Sequence, residues 1–329
     1  MKCAIMKDTE LLEIGQCDTP TPKAGEVLVE VEIAGICGSD ASLFRGKTGV
    51  PLPVIPGHEA VGRIAALGEN VKNVSVGQRV VIHPSFSCGE CQLCRSGHAN
   101  ICPDKVRLGL DCDGVFAEYV TIPADYAWPV PASMDSEVAV FTEPVAVAYR
   151  AFYKAAPKAG QRALVFGAGV IGLLVTQFLR NAGCRIVAVD LVPERLEIAR
   201  RMGASVTLDN TDSLAENGPF DVVYETSGAP QAFALATEVA ALGGSIVLLG
   251  LPPGPHPVLA TPIVRKELRV FGSIVYTDEF EPVLYMLEKG LIDTKPLVSS
   301  VCNLEDLPGC LKGFSDPDRV KTLIRIGAA

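Results

Sequence analysis

The chain has 329 residues, a formal net charge of −9, 48% hydrophobic residues and 20% charged residues. This length and composition are typical of a globular protein with room for two domains and a large buried core. The sequence has no Lys/Arg-rich segment, so we expect neither nucleic acid nor an anionic membrane surface as a partner. It has no apolar signal core at its start, and its most apolar run, 163–175, is too short to span a bilayer. We therefore expect a cytoplasmic protein.

The first 140 residues predict many short strands separated by glycine and proline. Segment 27–33 places four β-branched residues on one face and two glutamates on the other, which is typical of a half-buried strand. Segment 78–83 is a second strand candidate, and no long helix is predicted before Ser136. This region therefore predicts a mostly β domain.

After about residue 150, apolar strands alternate with amphipathic helices. The predicted strands are 162–166, 185–189, 220–224 and 245–249, and the predicted helices are 170–181, 193–202 and 230–241. This alternation predicts a parallel, doubly wound α/β sheet. From residue 277 the pattern is mixed, with a helix at 281–289 and a strand at 320–326. That tail is too small to fold alone, so we expect it to rejoin the first domain.

A glycine-rich turn links the first predicted strand of the α/β region to its first helix. It reads Gly167-Ala168-Gly169-Val170-Ile171-Gly172. The glycines allow a tight turn and a close approach of the backbone to a pyrophosphate, which then lies at the helix N-terminus. Such a turn can also serve only to pack a helix on a strand. The strand, the helix and an acid at the end of the next strand favour the dinucleotide.

That acid is Asp190, at about the 20-residue spacing expected for a dinucleotide site. Its carboxylate can accept hydrogen bonds from ribose hydroxyls, and it would repel a 2′-phosphate. The sequence therefore predicts NAD rather than NADP as the cofactor. The nearest cation that follows is Arg195, which is a candidate to stack on the adenine.

Eleven cysteines are many for a chain without a secretory signal, and a cytosolic protein keeps its thiols reduced. Four of them, Cys88, Cys91, Cys94 and Cys102, lie within 15 residues. They can surround one tetrahedral zinc, and a closed shell of four sulfurs leaves no position for substrate, so this site would be structural. Two alternatives are an iron–sulfur cluster and a redox-active pair of cysteines, which would leave the other two idle.

A third set of candidate ligands is dispersed along the chain. Cys37 lies in G-I-C-G-S-D, His58 lies in G-H-E, and Glu143 precedes Pro144. A thiolate, an imidazole and a carboxylate can bind zinc and leave one position open, as a catalytic metal requires. Spacing alone does not distinguish this arrangement from a buried cysteine and a hydrogen-bonded core histidine.

With these motifs, essentially the whole chain resembles the zinc-dependent medium-chain dehydrogenase family. The shared motifs are G-I-C-G-S-D at 35–40, G-H-E-x-x-G at 57–62, the four-cysteine lobe, D-G-V-F-A-E-Y at 113–119, E-P-V-A-V at 143–147 and the glycine turn. The resemblance implies a GroES-like catalytic domain of irregular β-barrel type at 1–148, with a structural zinc lobe at 88–102. It also implies an NAD-binding Rossmann domain at 149–276 and a C-terminal segment, 277–329, that completes the catalytic domain.

The resemblance also implies a ligand set for a catalytic zinc. Cys37 and His58 match the first two ligands of the family. Many alcohol dehydrogenases have cysteine at the third, whereas Glu143 resembles the sorbitol, threonine and butanediol dehydrogenase branches, in which Glu59 can also enter the shell. We expect Cys37, His58 and Glu143 to be the resting ligands, with Glu59 entering when water or substrate leaves.

Three neighbouring positions receive roles from the same resemblance. Asp40 matches the acid that orients the histidine, and Ser39 matches the hydroxyl that takes the substrate proton. Ser42 stands where relatives often carry a histidine that passes this proton to solvent. Water or a ribose hydroxyl of the cofactor would carry the proton beyond Ser39 instead.

The expected function is a zinc-dependent oxidoreductase that transfers hydride between NAD and a polyol, sugar alcohol, diol or secondary alcohol. Glu143 favours polyols and vicinal diols, whereas Leu43 and Phe44 could line a pocket for a simpler secondary alcohol. The alternatives are a zinc-independent reductase of the same superfamily and a non-catalytic dinucleotide-binding protein. The resemblance also implies a homodimer or homotetramer, formed by edge-to-edge pairing of dinucleotide domains, with 269–274 as the last strand.

Overall fold

The computed structural model describes residues 1–252, 254–255 and 258–327. The strands in chain order are β1 (Lys2–Asp8), β2 (Leu11–Gln16), β3 (Glu26–Gly35), β4 (Glu59–Leu67), β5 (Arg79–Ile82), β6 (Ser85–Phe86), β7 (Val106–Arg107), β8 (Tyr119–Pro123), β9 (Ala127–Pro129), β10 (Arg162–Phe166), β11 (Arg185–Val189), β12 (Val206–Leu208), β13 (Phe220–Glu225), β14 (Ala240–Leu248), β15 (Arg269–Gly272), β16 (Val298–Asn303) and β17 (Lys321–Arg325). The α-helices are α1 (Gly38–Phe44), α2 (Gln92–Arg95), α3 (Ser136–Ala139), α4 (Thr142–Ala155), α5 (Val170–Asn181), α6 (Pro193–Met202), α7 (Leu214–Asn217), α8 (Ala232–Val239), α9 (Ala260–Arg265), α10 (Phe280–Glu288) and α11 (Leu307–Lys312).

The chain forms two compact units. Unit 1 contains Met1–Glu143, Phe280–Gly290 and the chain from Val298 onwards, and unit 2 contains Pro144–Glu279 and Leu291–Leu297. The boundary expected after residue 148 falls inside α4, whereas the units divide at the start of this helix. The C-terminal segment expected at 277–329 contributes mainly to unit 1, but two stretches of it, 277–279 and 291–297, belong to unit 2.

Unit 1 is built on a sheet with the strand order β16-β17-β3-β4-β5-β9, with β8 also paired to β3. Only the β16–β17 pairing is parallel among the described strands of this sheet. The C-terminal strand β17 pairs with β3, so it lies beside the strand that leads into Cys37. The inner faces of these strands bury an apolar core that includes Val29, Val31 and Phe116.

Unit 2 is built on a parallel sheet with the order β12-β11-β10-β13-β14-β15. This is the Rossmann order, in which the chain starts at the centre, moves to one edge and then crosses to the other. The predicted doubly wound sheet is therefore confirmed. The strand expected at 245–249 begins earlier, at Ala240, because an irregularity in its pairing with β13 accommodates the intervening residues.

Two features of unit 1 differ from the sequence expectation. The short helix α1 was not predicted, because seven residues give too little periodicity to identify a helix. The thiols were expected to be reduced, but Cys3 and Cys17 form a disulfide, since the β1–β2 hairpin brings their Cα atoms to 6.4 Å. The other nine cysteines, all among the described residues, are free. Within that same part of the chain, no helix has the length and apolar character needed to cross a bilayer.

Candidate active site and metal centres

A buried carboxylate, Asp40, joins the two segments that carry Cys37 and His58. Asp40 lies in the first turn of α1 and is 1% exposed. Its Oδ2 accepts the N–H of Cys37 at 2.8 Å, and its Oδ1 accepts the N–H of Gly57 at 3.2 Å. Its Oδ1 also lies 3.5 Å from Nδ1 of His58. One side chain therefore fixes both the start of α1 and the segment that carries His58. Ser39 in α1 and His58 are 19 residues apart in the sequence.

The imidazole of His58 has one nitrogen toward Asp40 and the other toward the site. Its Nε2 lies 3.5 Å from Oγ of Ser39. Burial by itself lowers the pKa of His58, but the charges of Asp40 and Cys37 outweigh this and raise the pKa well above its ordinary value. The pocket is therefore strongly anionic, and a cation bound beside Nε2 would take the place of the proton.

A close group of donor atoms forms from Cys37, His58 and Glu59. One ligand atom of each lies within 4.8 Å of the other two. Glu59 is 1% exposed and its Oε2 forms an ion pair with Lys321. Glu143 stands in the first turn of α4, where its charge raises the pKa of Lys321. The structure therefore brings the expected thiolate and imidazole together with Glu59. Glu143, the carboxylate expected as the resting ligand, is not a member of this group and acts on Lys321 through its charge.

The donor set of this group fits zinc. Thiolate, imidazole and carboxylate are the three ligand types that zinc takes in proteins. Three protein ligands leave one position of a tetrahedron for water or substrate, which is the arrangement of a catalytic rather than a structural zinc.

The four thiols of the lobe at 88–102 also converge. The distances between sulfur atoms are 3.9 Å for Cys88–Cys94, 3.5 Å for Cys91–Cys94, 3.9 Å for Cys91–Cys102 and 3.5 Å for Cys88–Cys102. A tetrahedron with zinc–sulfur bonds of about 2.3 Å has edges of about 3.8 Å, so these spacings fit a single zinc ion. An iron–sulfur cluster places several atoms between the thiolates and needs wider spacing. All four sulfurs converge on one point, which a redox pair does not require.

Local backbone positions these thiols. The N–H groups of Cys91 and Glu90 donate to Cys88 and lower the pKa of its thiol to about 7. The N–H of Cys94 donates to the sulfur of Cys91 at 3.4 Å, at the start of α2. The contacts at Cys88 favour its thiolate, which is the form that binds metal, whereas burial raises the pKa of Cys94 to about 11.

The glycine-rich turn lies between β10 and α5, and its three glycines differ in backbone conformation and surroundings. Gly167 has a φ of +91°, which favours glycine. A Cβ on Gly172 would lie 1.9 Å from the carbonyl oxygen of Gly167, so this glycine is required by close packing. A Cβ on Gly169 would meet no atom of the described residues within 4 Å. Packing within this part of the chain therefore does not require glycine here, and the backbone leaves open space at the N-terminus of α5.

Asp190 follows β11, beside this turn. Its Oδ2 accepts the N–H of Ala168 at 2.6 Å, and its Oδ1 accepts the N–H of Val192 at 2.9 Å. The acid therefore fixes the turn as well as presenting negative charge beside it. Arg195 lies in the first turn of α6, and Val170 and Ile171 begin α5.

Lys321 and two apolar residues have positions that the sequence pattern does not predict. Lys321 begins β17 and is 3% exposed, but in the sequence it is one lysine in an apolar strand and gives no signal. Leu43 and Phe44, which were offered as a substrate pocket, are 2% and 3% exposed. They belong to the apolar core of unit 1, because α1 turns this face inward.

Comparison with known proteins identifies the family of the chain. Residues 23–132 match the alcohol dehydrogenase GroES-like domain, and residues 170–289 match the zinc-binding dehydrogenase family. The chain is 33% identical to starvation-sensing protein RspB of Escherichia coli K12, covering 97% of each chain. It is 33% identical to sorbitol dehydrogenase of Bacillus subtilis 168, covering 93% of this chain and 91% of that one.

A solved structure resembles the chain over its full length. The alcohol dehydrogenase rspB of Escherichia coli CFT073, complexed with NADH, has a TM-score of 0.94 at 32% identity and covers 99% of both chains. The parallel Rossmann sheet and the two groups of candidate zinc ligands are typical of a zinc-binding dehydrogenase, which is an oxidoreductase. The chain belongs to the zinc-binding dehydrogenase family, as its motifs indicated.

The role of Asp40 can be tested by an isosteric change that removes its charge and one of its two acceptor oxygens. Asp40→Asn should weaken metal binding at Cys37 and His58 by about 10- to 100-fold, because the imidazole loses the carboxylate that orients it. Competition with a chelator, followed by zinc analysis, measures this. Ser42→Ala is the matched control on α1, since its hydroxyl bonds only the Gly38 carbonyl among the contacts described. Equal metal retention in Asp40→Asn and Ser42→Ala would contradict the role.

Because Gly172 is tightly packed and Gly169 is not, we expect alanine at Gly172 to affect stability and alanine at Gly169 to affect NADH binding. Gly172→Ala should lower stability by about 1–3 kcal/mol, because its Cβ would collide with backbone. Gly169→Ala should keep the wild-type melting temperature and weaken NADH binding by about tenfold or more, which is about 1.4 kcal/mol. Thermal unfolding and NADH fluorescence titration separate the two effects. Wild-type NADH affinity in Gly169→Ala would refute the proposal that a dinucleotide occupies this space.

Proposed function

We propose that the protein is a zinc-dependent dehydrogenase that transfers hydride between an alcohol and NAD. The observation that carries this proposal is the anionic group of Cys37, His58 and Glu59, with Asp40 fixed behind the histidine. The open space at Gly169 supports a dinucleotide in unit 2. The relative solved with NADH and the sorbitol dehydrogenase relative agree with this function.

The catalytic zinc would be held by Cys37, His58 and a carboxylate. We propose Glu143 as the resting carboxylate and Glu59 as the one that enters when water or substrate leaves. The ion pair between Glu59 and Lys321 supports this order, because Oε2 of Glu59 already has a cationic partner. When bound, zinc would lower the pKa of a substrate hydroxyl and so make the alkoxide accessible near neutral pH.

Ser39 is the proposed acceptor of the substrate proton. Its Oγ lies 3.5 Å from Nε2 of His58, so the hydroxyl stands next to the position of the metal. Ser42 does not replace the missing relay histidine, because its hydroxyl donates to the Gly38 carbonyl at 3.0 Å. Proton transfer beyond Ser39 is therefore assigned to water or a cofactor hydroxyl. Such transfers typically contribute about 10²- to 10⁴-fold to a rate, so a simpler relay is compatible with turnover.

NAD is the proposed cofactor because of the charge at Asp190. The carboxylate lies at the end of β11, where the adenosine ribose is bound in Rossmann units. Its two backbone bonds leave further lone pairs for ribose hydroxyls. A 2′-phosphate at this place would meet a negative charge, and Arg195 would stack on the adenine.

The proposed substrate class is polyols, sugar alcohols, diols and secondary alcohols. Its support is the carboxylate ligand set and the sorbitol dehydrogenase relative. The proposed structural zinc lies in the lobe of Cys88, Cys91, Cys94 and Cys102, where the sulfur spacings fit one ion.

The metal and substrate assignments can be tested together. Freshly prepared protein should contain about two zinc ions per chain. It should reduce NAD, in preference to NADP, with at least one of a series of polyols, sugar acids, threonine, diols and simple alcohols. Absorbance at 340 nm and elemental analysis provide the measurements. Absence of zinc with turnover retained would indicate a zinc-independent reductase, and absence of turnover with every substrate would indicate a binding protein.

Two variants assign the metals to their sites. Cys91→Ala should lose one zinc and lower the melting temperature, because a closed metal site contributes folding energy. Glu143→Ala should lose the other zinc and its turnover while the cysteine lobe keeps its own. Retention of both metals and most of the turnover in Glu143→Ala would exclude Glu143 as a ligand.

A homodimer or homotetramer is proposed through the edge of unit 2. Strand β15 pairs with β14 on one side, and Val270 on this strand is 38% exposed. Val270→Asp should reduce the molar mass measured by light scattering at micromolar concentration, because a charge would be buried at the pairing edge. Val76→Asp, at an exposed position of unit 1, is the control and should not change it. A monomeric wild-type protein would defeat this assignment.

A further inference from the structure

Lys321 is a fully buried lysine at the candidate metal site. Its side chain is 2% exposed and that of Glu59 is 1% exposed. Its Nζ donates to Oε2 of Glu59 and, at 2.9 Å, to the carbonyl oxygen of Ile36. A buried charge is costly unless it is paired and hydrogen-bonded, so this ammonium group is held in place by these two acceptors.

Lys321 is the cation that pairs with Glu59 at this site. Its Nζ forms an ion pair with Oε2 of Glu59, and both side chains are buried. A metal bound beside Glu59 would compete with this ammonium for the same carboxylate.

The backbone provides a specific space for this ion pair. Gly35 ends β3 and pairs in register with Glu59 at the start of β4. A Cβ on Gly35 would lie 2.3 Å from Oε2 of Glu59 and 2.9 Å from Cε of Lys321. Both side chains therefore cross the face of Gly35, and the pair occupies the volume that any other residue at 35 would fill.

The carboxylate of Glu59 is also close to the candidate metal ligands. One of its oxygens lies within 4.8 Å of ligand atoms of Cys37 and His58. Glu59 therefore stands between two cations, the ammonium of Lys321 and the proposed metal. A fourth protein ligand from Glu59 would close the tetrahedron and exclude substrate.

We propose that Lys321 is a positioning residue that holds Glu59 at the margin of the metal site and so keeps one coordination position open for substrate. This inference rests on the proposed zinc-dependent function. The lysine reaches the site from β17, the C-terminal strand, so this strand supplies a functional group as well as completing the sheet.

Lys321→Met removes the charge and keeps the length of the side chain. Glu59 should then bind the metal permanently, because Lys321 is the cation that pairs with its carboxylate among the described residues. Release of zinc from the Cys37 site to a chelator should slow by about 10- to 100-fold. In the cobalt(II)-substituted protein, the absorption change that an alcohol substrate produces should disappear. The KM for the alcohol should rise, and Lys321→Arg should restore all three properties in large part.

If Lys321→Met does not fold, the double variant Lys321→Met/Glu59→Gln replaces it in the test. Both members of the buried ion pair are then neutral, so neither charge is left without its partner. A neutral amide does not close the metal shell, so this variant should keep both zinc ions and an alcohol-dependent cobalt spectrum. Loss of one zinc in the double variant would show that Glu59 is already a resting ligand, and it would overturn the inference. Unchanged zinc release and an unchanged cobalt response in folded Lys321→Met would overturn it as well.

The wild-type protein separates this inference from the function on which it rests. Wild-type protein that binds no zinc at Cys37 and His58, or that turns over no alcohol, defeats the proposed function before any variant is compared. Wild-type protein that is zinc-loaded and active, with variants that match it, defeats only the role of Lys321.

Discussion

The buried carboxylate of Asp40 is the constraint on which the candidate active site depends. It accepts N–H groups from Cys37 and Gly57, and it faces Nδ1 of His58. Because it is almost fully buried, its oxygens need hydrogen-bond donors, and the observed donors belong to the two segments that carry candidate metal ligands. The same bonds that satisfy the carboxylate therefore set the distance between the thiol and the imidazole.

The surroundings of this carboxylate are dominated by buried charge. Cys37, Glu59 and Glu143 all act on the single ammonium of Lys321, and Cys37 also raises the pKa of His58. An excess of negative charge in a dry pocket is unfavourable without further cations. A divalent metal would supply that charge, so the electrostatics of the site and the chemistry of its donors lead to the same conclusion.

The glycine-rich turn of unit 2 contains three glycines in three different environments. Gly167 is needed for its backbone conformation and Gly172 for its close approach to a carbonyl, whereas Gly169 faces open space. Among the described residues, packing explains the first two of these glycines but not Gly169. Asp190 adds a fourth constraint, since its bond to Ala168 ties the turn to the neighbouring strand.

Much of this protein follows from the sequence by itself. The strand–helix alternation determined the doubly wound sheet, because periodicity reports which face of each element is buried. The four-cysteine lobe and the glycine turn are local, so their spacing alone marked them as a candidate metal site and a candidate dinucleotide site. The tertiary structure decided what depends on long-range pairing. Lys321 and Glu59 are 262 residues apart, and no local pattern marks either one as the partner of the other. Sheet pairing of β17 with β3 and of β3 with β4 brings them together, because strands distant in sequence become neighbours only when backbone hydrogen bonds join them.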